Sequence, residues 1–494
     1  MKNTIIIIGS GFSSLSAASY LAKAGYNVTI LEKNNDLGGR ARLLSKEGFK
    51  FDMGPTWYWM PDVFEKFFLD FNKKPSDFYQ LEKLAPAYQV YFDRLESLIV
   101  SDEIEEIYSI FEKEEKGSSI FLKKFLTAAK FNYEVAINDL VYKPGESITE
   151  LITFTTIQKA NQFFQNISGE IRKNIKSKKL IQILEFPVLF LGAKPSNTPS
   201  FYNFMNYADF GLGTWHPKGG MFEVVKAFVN LAKNLGVKIE TNQNVDRIIV
   251  DNGFVKGVHV NSKFMAADIV LSGADYHHSE TLLDAKYRMY SEKYWSKKTF
   301  APSALLFYVG FNKKIKNISH HTLFFDSDFD KHSIEIYDTP QWPKNPLFYA
   351  SFPSATDTSF APINNEAATF LIPIAPGIED NQEIREVYFL KIMKRLENLT
   401  DQNLMDAIVF KESYCINDFV KDYNSYKGNA YGLANTLMQT AVLRPKLRSK
   451  KVKNLFFTGQ LTVPGPGVPP AIISGKIVAD LIQKHYKKDK PQTS

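Results

Sequence analysis

Residues 5–33 read IIIIGSGFSSLSAASYLAKAGYNVTILEK. Four consecutive isoleucines make a strand buried on both faces, because an unbroken apolar run leaves no wet side. Gly9-Ser10-Gly11 stops the run too early for the apolar core of a signal peptide, so it reads as a strand entering a turn. Ser13 to Ala24 place Ala17, Ala18 and Leu21 on one helical face, and Gly25 ends that helix. Val28 to Leu31 form a second strand with Glu32 at its tip. In such a β-turn-α-β unit the first glycine allows the tight turn and the second lets a pyrophosphate approach the backbone. A third glycine would let the helix pack close to the strand; Ser14 stands there, and its hydroxymethyl group is expected to loosen that packing slightly. Glu32 lies about twenty residues past the turn, the spacing of a carboxylate that holds ribose hydroxyls. The helix N-terminus offers unpaired amides and about half a positive charge to phosphate.

Three further motifs extend outward from this unit. Gly38-Gly39-Arg40-Ala41-Arg42 pairs backbone that can approach a ligand with guanidiniums that can fork onto a phosphate or stack on a ring. Phe51-Asp52-Met53-Gly54-Pro55-Thr56 reads as a turn, followed by the aromatic cluster Trp57-Tyr58-Trp59, one wall of an apolar substrate cavity. Thr458-Gly459-Gln460 leads to Pro464-Gly465-Pro466-Gly467-Val468-Pro469-Pro470, where two prolines pre-set the first turn of a helix.

The α/β character of the opening returns twice. Trp215 to Asp275 carries Gly219-Gly220, a helix from Met221 to Asn234, and short runs at Val237 to Glu240, Val245 to Val250 and Val255 to Val260. It closes on the buried strand Ala267 to Leu271. Near the C-terminus, Leu455 to Phe457 is a strand and Ala471 to Lys484 a helix. The fold class is therefore α/β. A discontinuous Rossmann-like nucleotide domain takes residues 1–80, 206–284 and 441–486, and residues 487–494 form a disordered polar tail. An interleaved mixed α+β domain, residues 81–205 and 285–440, takes the substrate and faces the membrane.

Composition narrows the function classes. The chain has 494 residues, 44% hydrophobic and 23% charged, as in an ordinary globular protein. Its aromatic share of 14% suits an apolar ligand, and equally a genome whose base composition favours Phe, Tyr, Ile, Lys and Asn. The net charge of +7 is mild and without a basic tract, so nucleic acid is not a partner. A single cysteine, Cys415, rules out an intrachain disulfide and a redox cysteine pair, and points to a reducing compartment. No HExxH or CxxC pattern suggests a metal, and no apolar run is long enough to span a membrane.

The order of these motifs closely resembles that of the bacterial carotenoid desaturases, a branch of the flavin amine oxidase superfamily. The resemblance runs through GSGFSS, Glu32-Lys33, GGRAR and FDMGPTWYWMPDVFE. It continues through WHPKGGM at residues 215–221, ADIVLSGAD at 267–275, GNAYGLANTLMQTAVLRP at 428–445 and NLFFTGQLTVPGPGVPPAIISGK at 454–476. It implies FAD bound by Gly9, Gly11, Glu32, Arg40 and the backbone around Val245, with the isoalloxazine ring between Gly54-Pro55 and the Gly467-Val468 turn. Ser14, Lys33, Gly39, Thr56 and Gly459 complete the cofactor set it implies. Gln460 departs from the acid that many relatives carry for the ribityl chain. The implied activity is desaturation of phytoene towards lycopene, with Trp57, Tyr58 and Trp59 at the substrate. Two other readings are a different carotenoid oxidoreductase (a hydroxycarotenoid desaturase or isomerase) and a prenyl-lipid binding protein on the same fold.

No catalytic base is legible. His216, His277, His278, His320 and His321 have neither metal nor triad spacing and read as structural. Gly211-Leu212-Gly213 lacks a preceding strand, so no pyridine-nucleotide site is expected and a quinone or oxygen is the expected electron acceptor. Two segments read either as membrane-facing or as ordinary helices packed on the core with a wet basic face. Residues 120–133, if helical, set Phe121, Leu122, Phe125, Leu126, Ala129 and Tyr133 opposite Lys123, Lys124 and Lys130. Residues 172–191 join a basic run to an apolar one. The expected location is cytoplasmic, peripheral to the inner face of the membrane.

Overall fold

The computed structural model describes residues 3–151, 162, 165–189 and 192–486. The tail at 487–494, and Phe190 and Leu191 at the end of the second membrane-facing segment, lie outside the described residues.

A five-stranded parallel sheet is built from far-apart pieces of the chain. Its order is Leu455–Phe457, Ile269–Ser272, Thr4–Ile8, Asn27–Leu31 and Lys238–Glu240. Thr4–Ile8 is central, which is why its isoleucines alternate with nothing polar: Ile5 and Ile7 join the core on one face, Ile6 and Ile8 the core on the other. The helices Phe12–Lys23, Met221–Asn234 and Val468–Tyr486 cover one face. An antiparallel meander, Val245–Asp251, Phe254–Val260 and Lys263–Ala266, contributes to the core on the other.

The opening helix packs closely despite Ser14. A Cβ on Gly273 would lie 2.0 Å from Ser14 Oγ, so the missing side chain at 273 makes the room that Ser14 occupies. On the other side, a Cβ on Gly475 would lie 2.4 Å from the Ser13 carbonyl oxygen. The last helix therefore meets the first backbone to backbone, and Ser16 Oγ donates to Ile472 O at 2.8 Å. The last helix begins at Val468, three residues before the expected start, because proline fits the first turn, where its missing N–H has no partner to lose.

A second sheet has seven strands, in the order Ile408–Tyr414, Ser303–Phe311, Glu366–Ile374, Phe348–Ser351, His321–Phe324, Tyr88–Asp93 and Glu96–Val100. Its pairs are antiparallel except His321–Phe324 with Tyr88–Asp93. The helix Gln382–Thr400 packs on it through Tyr388, Phe389, Ile392, Met393 and Leu396.

The two membrane-facing surfaces read from the sequence are corrected here. Leu122, Phe125, Leu126, Ala129 and Tyr133 of the helix Ser118–Val135 are buried in the core, and Tyr133 donates to Asp62 Oδ1 at 2.7 Å. Leu180, Ile183, Leu184, Phe186 and Val188 are buried likewise. Among the neighbouring cations, Arg172 pairs with Glu185 and Asp330 and Lys179 with Glu96, while Lys123, Lys124, Lys130, Lys173, Lys176 and Lys178 stay exposed. An apolar face backed by lysines describes a packed helix as well as an interfacial one; here the core takes the apolar face. Among the described residues, no helix is long and apolar enough to cross a membrane.

Candidate active site

Two cavities of about 250 Å³ each adjoin at a common wall. Gly54, Pro55, Leu371, Tyr431, Gly467 and Val468 line both. One cavity, the more polar of the two and called the polar cavity below, runs along the ends of the parallel strands; the other is walled mostly by aromatic and aliphatic side chains.

In the polar cavity, Gly9 has a φ of +89°, which only glycine adopts without strain, and turns the chain out of the first strand. Gly11 then starts a helix whose N-terminus has no side-chain cap, so its first amides stay free for a ligand. Glu32 is buried at the end of the second strand. It accepts from Ser10 N and Oγ at 2.9 and 2.7 Å and from Asn34 N at 2.9 Å. The two glycine motifs face one another: a Cβ on Gly39 would lie 3.2 Å from Gly11 Cα. Gly54 lies so close to Arg40 that a Cβ there would sit 2.1 Å from the Arg40 carbonyl oxygen.

Arg40 is the decisive group. Burial pulls its guanidinium below its ordinary pKa, against the pull of Asp275. It donates at 3.2 Å to Ser425 Oγ and at 3.3 Å to Asn429 O, lies over the Tyr423 ring at 5.0 Å, and leaves Nε without a partner among the described residues. No carboxylate forms an ion pair with it among the described residues. A half-buried cation held only by neutral partners, beside free helix amides and across from Glu32, fits a diphosphate joined to a ribose.

Of the residues expected around a cofactor, Gly9, Gly11, Glu32, Lys33, Gly39, Arg40, Gly54, Pro55, Val245, Gly467 and Val468 line this cavity. Ser14 and Gly459 lie behind it: Ser14 packs against Gly273, and Gly459 N donates to Ser474 Oγ at 3.1 Å. Thr56 faces the apolar cavity. Gln460 does line the polar cavity; in the orientation that satisfies both its ends, its amide oxygen accepts from Arg40 Nη2 at 3.1 Å.

Trp57 and Trp59 line the apolar cavity with Phe186, Phe325, Ile336, Tyr337 and Tyr349. Tyr58, between the tryptophans, does not: it stacks on Phe64 at 4.2 Å, and its hydroxyl meets that of Tyr79 at 2.8 Å. From Gly54 to Met60 only Tyr58 turns away from the wall, into the core. Most of the other wall residues come from scattered elements and carry no local pattern, which is why sequence reading missed them.

Asp52 has a structural task unseen in the sequence. It accepts from Met221 N at 2.9 Å and Phe222 N at 3.2 Å, capping the helix Met221–Asn234. Gly220 is required there, since a Cβ would sit 2.6 Å from Asp52 Oδ2. Burial pushes the Asp52 carboxyl up to about 6. Gly211-Leu212-Gly213 follows the π-helical turn Tyr207–Gly211, with the Tyr207 ring against Gly211, and is no strand-to-helix turn.

Comparison with known proteins agrees with this chemistry. The family described as flavin containing amine oxidoreductase matches residues 12–483. A protein named carotenoid 3,4-desaturase, from Haloarcula japonica, is 40% identical over 484 residues, covering 97% of each chain. The 4,4'-diapophytoene desaturase (4,4'-diaponeurosporene-forming) of Staphylococcus aureus is 31% identical over 506 residues, covering 98% of this chain and 99% of its own. An oxidoreductase from Methanosarcina mazei shares the fold with a TM-score of 0.65 at 16% identity, covering 97% of this chain and 100% of that one. The chain belongs to the flavin containing amine oxidoreductases, within their carotenoid desaturase branch, and is an FAD-dependent oxidoreductase.

Proposed function

We propose that the enzyme desaturates an acyclic carotenoid whose reacting bond lies near a hydroxylated end. One observation carries the choice of substrate. Tyr337 lines the apolar cavity, and its buried hydroxyl has no partner among the described residues. An unmatched phenol in such a wall costs about 1–3 kcal/mol unless the ligand satisfies it. A hydrocarbon cannot do so; a carotenoid alcohol can. The similarity to a protein named for the 3,4 bond, at the end of the carotenoid numbering, supports the same reading. Desaturation of phytoene towards lycopene is the second reading. It is supported by the mostly aromatic and aliphatic wall, with Trp57 and Trp59 in it, and by the diapophytoene desaturase relative.

On this reading the polar cavity holds FAD. Glu32 takes the ribose, Arg40 and the helix start at Gly11 the diphosphate, with Lys33, Gly39 and Val245 alongside. The ring lies by Gly54-Pro55 and Gly467-Val468, where the N-terminus of the helix Val468–Tyr486 favours negative charge. Bound FAD supplies the hydride acceptor. A quinone or oxygen then takes the electrons, and the substrate comes from a bilayer through contacts other than the packed faces of 120–133 and 172–189.

The test presents liposomes containing phytoene, or a 1-hydroxylated acyclic carotenoid, to FAD-loaded enzyme, with pigments followed by absorbance. We expect the hydroxycarotenoid to gain a double bond faster, and Tyr337→Phe to erase its advantage. Conversion of phytoene alone would overturn the first reading in favour of the second.

A further inference from the structure

The apolar cavity contains a polar seam beside the common wall. Thr56 and Tyr349 both line it, and their hydroxyls meet at 2.8 Å. The Tyr349 hydroxyl also meets His321 Nδ1 at 2.7 Å. His321 lies wholly buried behind the wall, stacked on Trp57 with ring centroids 4.0 Å apart and 11° between planes. Its Nε2 has no hydrogen-bond partner among the described residues. Three elements meet here: the turn after Gly54-Pro55 and the strands His321–Phe324 and Phe348–Ser351, paired in the seven-stranded sheet.

Desaturation removes a hydride from one carbon and a proton from its neighbour, and the proton needs an acceptor. We infer that Tyr349 is the catalytic proton acceptor, with His321 as the positioning residue that takes over the phenol's own proton. The inference rests on the desaturase reading above. The first C–H bond gives its hydrogen with both electrons to the flavin, so carbon is oxidised and flavin reduced. The second C–H bond gives its proton to the Tyr349 oxygen, and its electron pair becomes the new double bond. The former Tyr349 O–H proton moves to His321 Nδ1, while Thr56 fixes the direction of the phenol.

His321 suits this task. Burial and the neighbouring His216 hold its pKa well below the ordinary histidine value, so it is neutral with a lone pair available. A weak base is enough, because a C–H bond next to an allylic cation is far more acidic than imidazolium. His320 adjoins His321 with centroids 4.5 Å apart, and His216 adjoins His320 at 4.7 Å. His216 Nε2 lies 3.1 Å from Asp357 Oδ2, so the string of rings ends on a carboxylate. Spacing in the sequence shows none of this, since His216 and His320 are brought together only by the fold.

The test compares wild type, Tyr349→Phe, His321→Gln and the double variant. Flavin reduction is followed anaerobically by absorbance, with phytoene and the hydroxycarotenoid as probes. Tyr349→Phe should slow reduction at saturating carotenoid on the order of a hundredfold, the scale of a lost proton-transfer partner. FAD content, melting temperature and the half-saturating carotenoid level should stay near wild type. The double variant should be no slower than Tyr349→Phe, since the two residues act in series. Nitrogen NMR of the imidazoles gives a readout free of turnover: His321 Nδ1 should be an acceptor whose shift moves in Tyr349→Phe. An unimpaired Tyr349→Phe beside an active wild type overturns this assignment alone. So does a loss that tracks FAD content, a multiplicative loss in the double variant, or a His321 protonated at Nδ1. A wild type whose flavin is reduced by neither probe defeats the proposed function, and this assignment with it.

Discussion

Glu32 already accepts three hydrogen bonds from its own chain, so it is held in place before any ligand arrives. A preset carboxylate loses little freedom on binding, which is what makes it effective at a ribose. Glu32→Ala should weaken FAD by about 1.5–3 kcal/mol, the worth of a hydrogen bond to a charged group. That is roughly a ten- to hundredfold rise in Kd, measurable by flavin fluorescence titration; an unchanged Kd would remove Glu32 from the cofactor set. Glu32 is legible in the sequence because its place is fixed by a count along a single βαβ unit. Tyr349 and His321 are not, because their neighbour Thr56 is remote in the chain and nothing local marks the encounter.

At the scale of elements, the nucleotide half is joined through small residues: the first and last helices meet at Gly475, and the first helix meets the end of the strand Ile269–Ser272 at Gly273. Ser14 against Gly273 is the most specific of these contacts, and it reverses the expectation that a serine there loosens the packing. Gly273→Ala should destabilise the protein by about 1–3 kcal/mol, the usual cost of overpacking. Adding Ser14→Gly should restore part of that loss, because it empties the space the new methyl needs. Thermal melting of the two single variants and the double variant measures the coupling; strictly additive shifts would show that the contact is not what limits the helix. The strands and helices of this half were legible because each carries its own period and its own turn. The faces of 120–133 and 172–189 could be read two ways, as interfacial or as core-packed, because periodicity reports that a face is apolar, not what covers it.

For the molecule as a whole, the polar cavity draws lining residues from the first turn, from Val245, from Tyr423 and Tyr431, and from Gly467. A ligand there ties together segments from both ends of the chain. FAD should therefore raise the melting temperature of the whole chain, by about 2.7 kcal/mol of stability at a hundred times its Kd. A scan across FAD concentrations checks this, and a melting temperature indifferent to FAD would mean that the cofactor binds a part that unfolds separately. The seven-stranded sheet was the least legible region, since its strands pair across long intervals of sequence and their register follows from that assembly.

The wall shared by the two cavities turns the choice of bond into a matter of length. A polyene presents nearly identical carbons along its middle, so recognition by chemistry falls to its end. On the proposed reading the flavin ring lies beside Gly54 and Pro55, while Tyr337 receives the hydroxylated end of the chain. On that reading the distance between those two places, counted in carbons, selects which bond is oxidised, much as a stop on a saw bench decides where a plank is cut.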